Sequence, residues 1–415
     1  MTAAGLRRQL TPADAVVVGV GSMVGAGVFT VWGPAAQAAG PWMILSLLIA
    51  GLIAFCNAVS SAQLAAQHPE SGGTYVYGRE RLSPFWGHVA GWGFIVGKTA
   101  SCAAMALTAG YYVWPERAHS MATVAVLLIT AVNLGGLSRT AFVTRIVLVI
   151  TAATLVVVVA SSTVLEPNPQ PSTTPLDVSA YGILQAAGLM FFAFAGYARI
   201  ATFGEEVINP ERTIPWAIPR ALGAVLALYL LIAIVVLTSA SPAVIAGTVA
   251  PLGFIVESSS FASVSWLVSI GAGVACFGVL LNLIPGVART TLALARRHEL
   301  PAWLSGVSAE RSLPIRAEMT VVIVVIGLIH TMSLTSALSL SGVAVLTYYA
   351  ITNASALRLQ SSERLWPRWI AWLGLVGCVV LVLALPWRVL ASGVGVLIAG
   401  IAARSIALRS PQHRQ

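Results

Sequence analysis

Lys98 is the only lysine in this 415-residue chain, and it sits inside an apolar run. An ammonium inside a bilayer costs about 2.5–3.5 kcal/mol on insertion scales, so it reads by default as a functional group. Lying about 13 residues from the end of its run, it is placed ~20 Å deep at 1.5 Å per residue. Two glycine-interrupted stretches hold complementary chemistry. In the first, Met23, Val24, Gly25, Ala26 and Gly27 break a helix and free N–H groups at the start of the next one. Those donors, with the positive end of the helix dipole, suit a carboxylate. In the second, Phe191, Phe194, Ala195, Gly196, Tyr197 and Ala198 mark a break whose freed carbonyls suit an ammonium. An amino acid zwitterion satisfies both. Phe191, Phe194 and Tyr197 read either as an aromatic wall of that site or as packing residues.

The elements that must position these groups are membrane spans. The chain is 58% hydrophobic and 9% charged, against about 25% charged residues in soluble domains. Twelve apolar runs cover 13–38, 42–66, 85–112, 121–136, 142–165, 181–203, 217–240, 264–288, 319–332, 337–357, 369–385 and 389–408. Most approach the ~20 residues that cross the hydrocarbon; the fourth, ninth and eleventh are short. The breaks fall in the first and sixth. Backbone interrupted at membrane depth is tolerated where protein encloses it, and matching interruptions in two halves point to a midplane solute site. Spans 1–5 and 6–10 each number five, so the second set runs inverted, with two spans appended. The expected organisation is an N-terminus (1–12), a first repeat (13–165), a Pro-rich external linker (166–180), a second repeat (181–360), spans 11–12 (361–408) and a tail (409–415). Glycines also serve ordinary close helix packing; their matching places in the two halves favour the site.

A net charge of +9 does not point to nucleic acid, because most Lys and Arg fall in the termini and alternate connections. That is the positive-inside pattern, and it places both termini in the cytoplasm of a multi-pass cell-membrane protein. The partners expected are the lipid bilayer and a small solute. No cleavable leader is evident in residues 1–12. Cys56, Cys102, Cys276 and Cys378 lie inside runs without metal-type spacing. No His or Cys ligand cluster, phosphate loop or nucleophile–base pair appears, so neither a cofactor, a metal nor an enzyme is expected.

Several motifs carry a resemblance to a known family. They are Gly25-Ala-Gly-Val-Phe29; Pro69-Glu-Ser-Gly-Gly-Thr-Tyr-Val-Tyr77 followed by Gly91-Trp92; and Phe191-Phe-Ala-Phe-Ala-Gly-Tyr-Ala-Arg-Ile-Ala-Thr-Phe-Gly-Glu-Glu-Val-Ile-Asn-Pro-Glu-Arg-Thr-Ile-Pro215. Arg289-Thr-Thr-Leu-Ala-Leu-Ala-Arg-Arg-His-Glu-Leu-Pro301 and Tyr348-Tyr-Ala-Ile-Thr-Asn353 extend it. The chain resembles the amino acid–polyamine–organocation superfamily of permeases, closest to its cationic-amino-acid-transporter-like and bacterial branches. The resemblance covers nearly the whole chain. It implies an all-α membrane protein of about 12 helices in the five-plus-five inverted repeat, transporting amino acids or related amines by alternating access.

Departures from the family bear on the substrate. The cationic branch typically has an acidic residue where this chain has Ala198, and Arg199 follows it. With Lys98, that argues against a cationic solute. Many family members have a lysine near the place of Arg145, beside the sodium site of sodium-dependent relatives. Arg145 is therefore expected to stand in for sodium, bonded to carbonyls of the first break, which implies sodium-independent transport; the alternative is an interfacial arginine reaching the head groups. Lys98 is the candidate for proton coupling. Glu205 and Glu206 are expected to pair with arginines of an inner gate, His330 to be scaffold, and Asp14 to cap the first helix. An exchanger, an exporter, a carrier of polyamines and a nutrient sensor are the alternatives.

Overall fold

The computed structural model describes residues 11–68, 72–135, 141–164, 178–197, 207–308 and 313–409, and every regular element among them is helical. Each of the twelve apolar runs coincides with a helix. The first run is divided into α1 (Pro12–Met23), α2 (Ala26–Thr30) and α3 (Trp32–Ala39). Then come α4 (Met43–Gln67), α5 (Thr74–Arg81), α6 (Pro84–Val113), α7 (Ala118–Leu134), α8 (Ala141–Ser161) and α9 (Ala180–Phe194). The second half supplies α10 (Pro210–Ser239), the short α11 (Pro242–Ala246) and α12 (Pro251–Glu257), α13 (Ser265–Arg296), α14 (Ile315–Thr331) and α15 (Leu334–Ala356). The last two spans are α16 (Arg368–Leu383) and α17 (Trp387–Arg409). The fourth, ninth and eleventh spans are short here as well, at 17, 17 and 16 residues.

Helix starts follow from local chemistry. Ser83 and Ser179 accept from backbone N–H groups at the starts of α6 and α9, and Pro84 occupies the first turn of α6, where no N–H is needed. At α1 the cap is Thr11, not Asp14. The Thr11 Oγ1 accepts from Asp14 N at 3.2 Å while Asp14 Oδ2 accepts from Thr11 N at 3.2 Å, a reciprocal capping box.

The packing pairs repeat between the two sets of five spans. α1 packs on α10 as α9 packs on α4; α6 packs on α15 as α13 packs on α8; α6 packs on α14 as α13 packs on α7; α1 packs on α8 as α9 packs on α15. The pairs α4–α10, α6–α13 and α7–α14 map onto themselves. Exchanging each span with the one five further on reproduces this pattern, which places the two broken segments together at the centre. α16 lies against α4, α9 and α15, and α17 against α6 and α15.

The connection between spans 2 and 3, polar enough in sequence to read as surface, contains α5, whose Thr74, Tyr75, Val76 and Tyr77 are buried against α6 and α15. The Thr74 and Thr352 hydroxyls meet at 2.6 Å, and the Tyr348 hydroxyl accepts from Thr74 N at 3.2 Å.

Candidate functional site

The two breaks cross backbone to backbone. α1 stops at Met23 because Val24 leaves helical geometry with ψ 73°, and α2 restarts at Ala26. α9 stops at Phe194 and passes into a turn over Ala195, Gly196 and Tyr197. A Cβ on Gly27 would stand 2.6 Å from Ala193 Cα, and one on Gly196 would strike the Ser22 carbonyl and come within 2.8 Å of Met23 N. A Cβ on Gly25 would meet the Val279 side chain of α13. Gly27 and Gly196 therefore serve contact between the broken segments and Gly25 serves contact with α13, as glycine does in close-packed membrane helices.

Breaking a helix orphans carbonyls, and at these depths the chain satisfies them itself. The hydroxyl of Tyr229, on α10, lies 2.7 Å from Met23 O and 3.1 Å from Ala193 O, joining both breaks through one proton. Phe192 O accepts from Ala195 N at 3.3 Å, and Phe194 O accepts from Tyr197 N at 3.4 Å. Ala195 O accepts from Lys98 Nζ at 3.2 Å and from the Tyr349 hydroxyl at 3.4 Å. Of the carbonyls expected to be open to a solute's ammonium, those of Phe194 and Ala195 thus already carry protein donors, and the ammonium among them is that of Lys98.

The remaining sequence-derived candidates divide clearly. Met23, Val24 and Ala26 are buried at the first break, where Ala26 O accepts from the Thr30 hydroxyl. Phe191, Phe194 and Tyr197 are fully buried: Phe191 packs edge-on to Tyr349 at 5.7 Å between centroids, Phe194 lies 5.2 Å from Tyr229, and Tyr197 lies 5.2 Å from Tyr349. Ala198, Arg199, Glu205 and Glu206 lie outside the described residues.

Arg145 does not reach the first break. Its guanidinium donates to Asp14 Oδ1 at 2.7 Å, and its side chain is 58% exposed. The expected bonds to break carbonyls give way to an ion pair between the starts of α1 and α8, because a carboxylate at the mouth of the bundle is a nearer partner than carbonyls inside it. His330 bonds the Thr123 hydroxyl at 3.0 Å and stacks on His119, a scaffold role.

Sequence reasoning missed Tyr229 and Tyr349. The available signal was a hydroxyl inside an otherwise apolar span, which must find an internal partner. It also missed a second polar cluster at the far end of α6. Glu299, just past α13, is only 3% exposed. Its carboxylate accepts from the Tyr75 hydroxyl at 3.2 Å and from Arg79 Nη1 at 3.3 Å, with His88 Nδ1 at 3.4 Å and Arg404 Nε at 3.9 Å. His88 Nε2 faces Gly400 O at 3.1 Å, so both ring nitrogens meet acceptors and a neutral imidazole satisfies only one of them. Nearby, Arg81 holds Glu363 through two bonds of 2.8 and 3.0 Å.

Comparison with known proteins agrees with this architecture. A family model described as amino acid permease matches residues 10–402. An uncharacterized transporter of Mycobacterium tuberculosis is 52% identical over 405 residues, covering 97% of this chain and 91% of the relative. A methylthioribose transporter of Bacillus subtilis is 26% identical, covering 86% and 82% of the two chains. Cationic amino acid transporter 6 of Arabidopsis thaliana is also 26% identical, covering 94% and 72%.

Proposed function

We propose a transport cycle from one premise: this chain belongs to the amino acid permease family and is an integral membrane transporter, not an enzyme. The solute is an amino acid or a related small carboxylate, bound where the broken segments of spans 1 and 6 cross. The observation that carries this reading is the crossing itself: interrupted backbone, glycine contacts at Gly27 and Gly196, and a part-buried cation at Lys98 converge on one place. The N–H groups that open α2 at Ala26 and Gly27 and the ammonium of Lys98 both favour a negative group. A cationic side chain is disfavoured by the same lysine. The relatives leave the solute open, since at similar identity one is named for a sugar derivative and another for cationic amino acids.

Alternating access then moves spans 1 and 6 with α4 and α10 against α6, α7, α13 and α14. Tyr229 bonds to both breaks, so α10 travels with them. The Asp14–Arg145 pair joins α1 to α8 at the end that carries the N-terminus, and it opens when that end opens. With Arg145 occupied there, it no longer argues for sodium independence, and coupling rests on the titratable groups inside the bundle. Lys98 at the breaks favours protons. The positive-inside pattern puts both termini in the cytoplasm of the cell membrane, and the two repeats span 13–165 and 181–360.

The test is uptake of the common L-amino acids into proteoliposomes, with and without sodium and with and without an inward proton gradient. Gradient-stimulated accumulation of neutral or acidic members without sodium is the expected result. Uptake only into preloaded vesicles means exchange, and a strict sodium requirement overturns the proton reading.

A further inference from the structure

Lys98 occupies the place that an amino acid's ammonium was expected to take, and this changes what the solute must bring. From Phe192 to Ala195 every carbonyl has a donor from the chain, and Ala195 O has two, one for each lone pair. An incoming ammonium would have to displace Lys98 or Tyr349 from Ala195 O and would meet a like charge there. The Lys98 ammonium has three N–H donors. One goes to Ala195 O, which fixes the side chain against the break; no other hydrogen bond from it is seen among the described residues. Cys102, one turn along α6, is buried and supplies no carboxylate, so the part-buried charge of Lys98 has no acidic counterpart among the described residues of its own helix face. An ion at that depth calls for a partner of opposite sign.

We infer that Lys98 is the anion-binding residue of the solute site, and that the site selects its solute by a carboxylate rather than by an amine. The inference rests on the solute lying at the crossing of the breaks. It places 2-oxo and 2-hydroxy carboxylic acids within the substrate class beside neutral amino acids, and it places amines without a carboxylate outside it. Tyr349 and Ala195 position the ammonium; the solute's acid completes its shell.

The experiment uses the full chain in proteoliposomes and takes the best-transported amino acid of the panel. Its 2-oxo acid, which lacks the amine, and its amide, which lacks the carboxylate, then compete for uptake. The expected result is inhibition by the oxo acid within about tenfold of the parent, an affinity difference of ~1.4 kcal/mol or less, and none by the amide. Lys98→Met and Lys98→Gln are expected to weaken the oxo acid about a hundredfold, while Lys98→Arg retains it; monodisperse elution in detergent shows which variants fold. Competition by the amide and not the oxo acid, or an unchanged preference in folded Lys98→Met, overturns the role of Lys98 and leaves the permease reading standing. Failure of the wild type to move any amino acid overturns the amino acid reading and this inference with it.

Discussion

The crossing of the breaks and the cluster around Glu299 are both buried and polar, but they are built from opposite materials. At the crossing the acceptors are backbone carbonyls, spread over Met23, Ala193 and Ala195, and each is met by a side-chain donor from another helix. At Glu299 the acceptor is one side chain, and the donors of α5 and α6 converge on it, with Arg404 of α17 at ion-pair distance. No substitution removes a backbone carbonyl, so the polarity of the crossing persists and only its donors can change. The Glu299 cluster stands or falls with a single carboxylate. On the proposed reading the crossing is the solute site, where the carbonyl acceptors keep Lys98 in place to meet the solute's acid. A fixed joint between helices is served by the second arrangement.

The largest effect expected from this contrast is steric. Gly196→Val puts a side chain where the Ser22 carbonyl stands, and neither backbone can yield, so we expect no folded, monodisperse protein. Gly327 and Gly223, in α14 and α10, have open space around them; Gly327→Ala should therefore leave folding intact or raise the unfolding temperature, as glycine-to-alanine changes do in helices at up to about 1 kcal/mol. Normal elution of Gly196→Val would break the assignment of a backbone crossing. Next comes Glu299→Gln. It leaves Arg79 and His88 facing a neutral amide, and removing one partner of a buried ion pair costs about 3–5 kcal/mol. The lower end applies because the Arg79 side chain is 31% exposed. Thermal unfolding in detergent checks it, and an unchanged midpoint would mean that the cluster contributes nothing.

How far the sequence foretold these regions differs in the same way. Spans were legible because hydropathy over twenty residues answers directly to the bilayer: the second run, expected at 42–66, is Met43–Gln67, and the tenth, expected at 337–357, is Leu334–Ala356. The breaks were legible because Gly25, Gly27 and Gly196 are local. Their fillers were not. Tyr229 follows Met23 by 206 positions and resembles any core aromatic until a carbonyl is placed beside its hydroxyl. α5 carries the charged run Arg79, Glu80 and Arg81 at its end, while tertiary packing buries its tyrosines. The family resemblance places Arg145 at the break, whereas chain folding brings Asp14, 131 residues away, within its reach.

Tyr229→Phe sharpens the comparison at smaller cost. It removes the shared proton but leaves Met23 O its bond from Gly25 N at 2.9 Å. An unsatisfied buried acceptor costs about 1–3 kcal/mol, and the lower figure is expected here. If α10 travels with the breaks through this hydroxyl, uptake falls further than stability does; a parallel fall in both would reduce Tyr229 to packing.

The smallest effect lies at the Arg81–Glu363 pair, which shares the ionic chemistry of Glu299 without its burial. Hydrogen bonds from Arg81, then one from Gln360 N and the nearby guanidinium charge, hold the Glu363 carboxyl below its ordinary value. A carboxyl lowered on folding stabilises the protein at pH values above its unfolded pKa of about 4.3, and that contribution disappears as pH falls through the lower folded value. Wild type should therefore lose a small increment of thermal stability between about pH 5 and pH 3 that Glu363→Gln does not lose, the variant being insensitive at this site. The side chains are 19% and 23% exposed, so solvent screens the pair and the increment should shrink in high salt. An acid-induced loss as large as that of Glu299→Gln, or one indifferent to salt, would show that exposure is not what separates the two clusters.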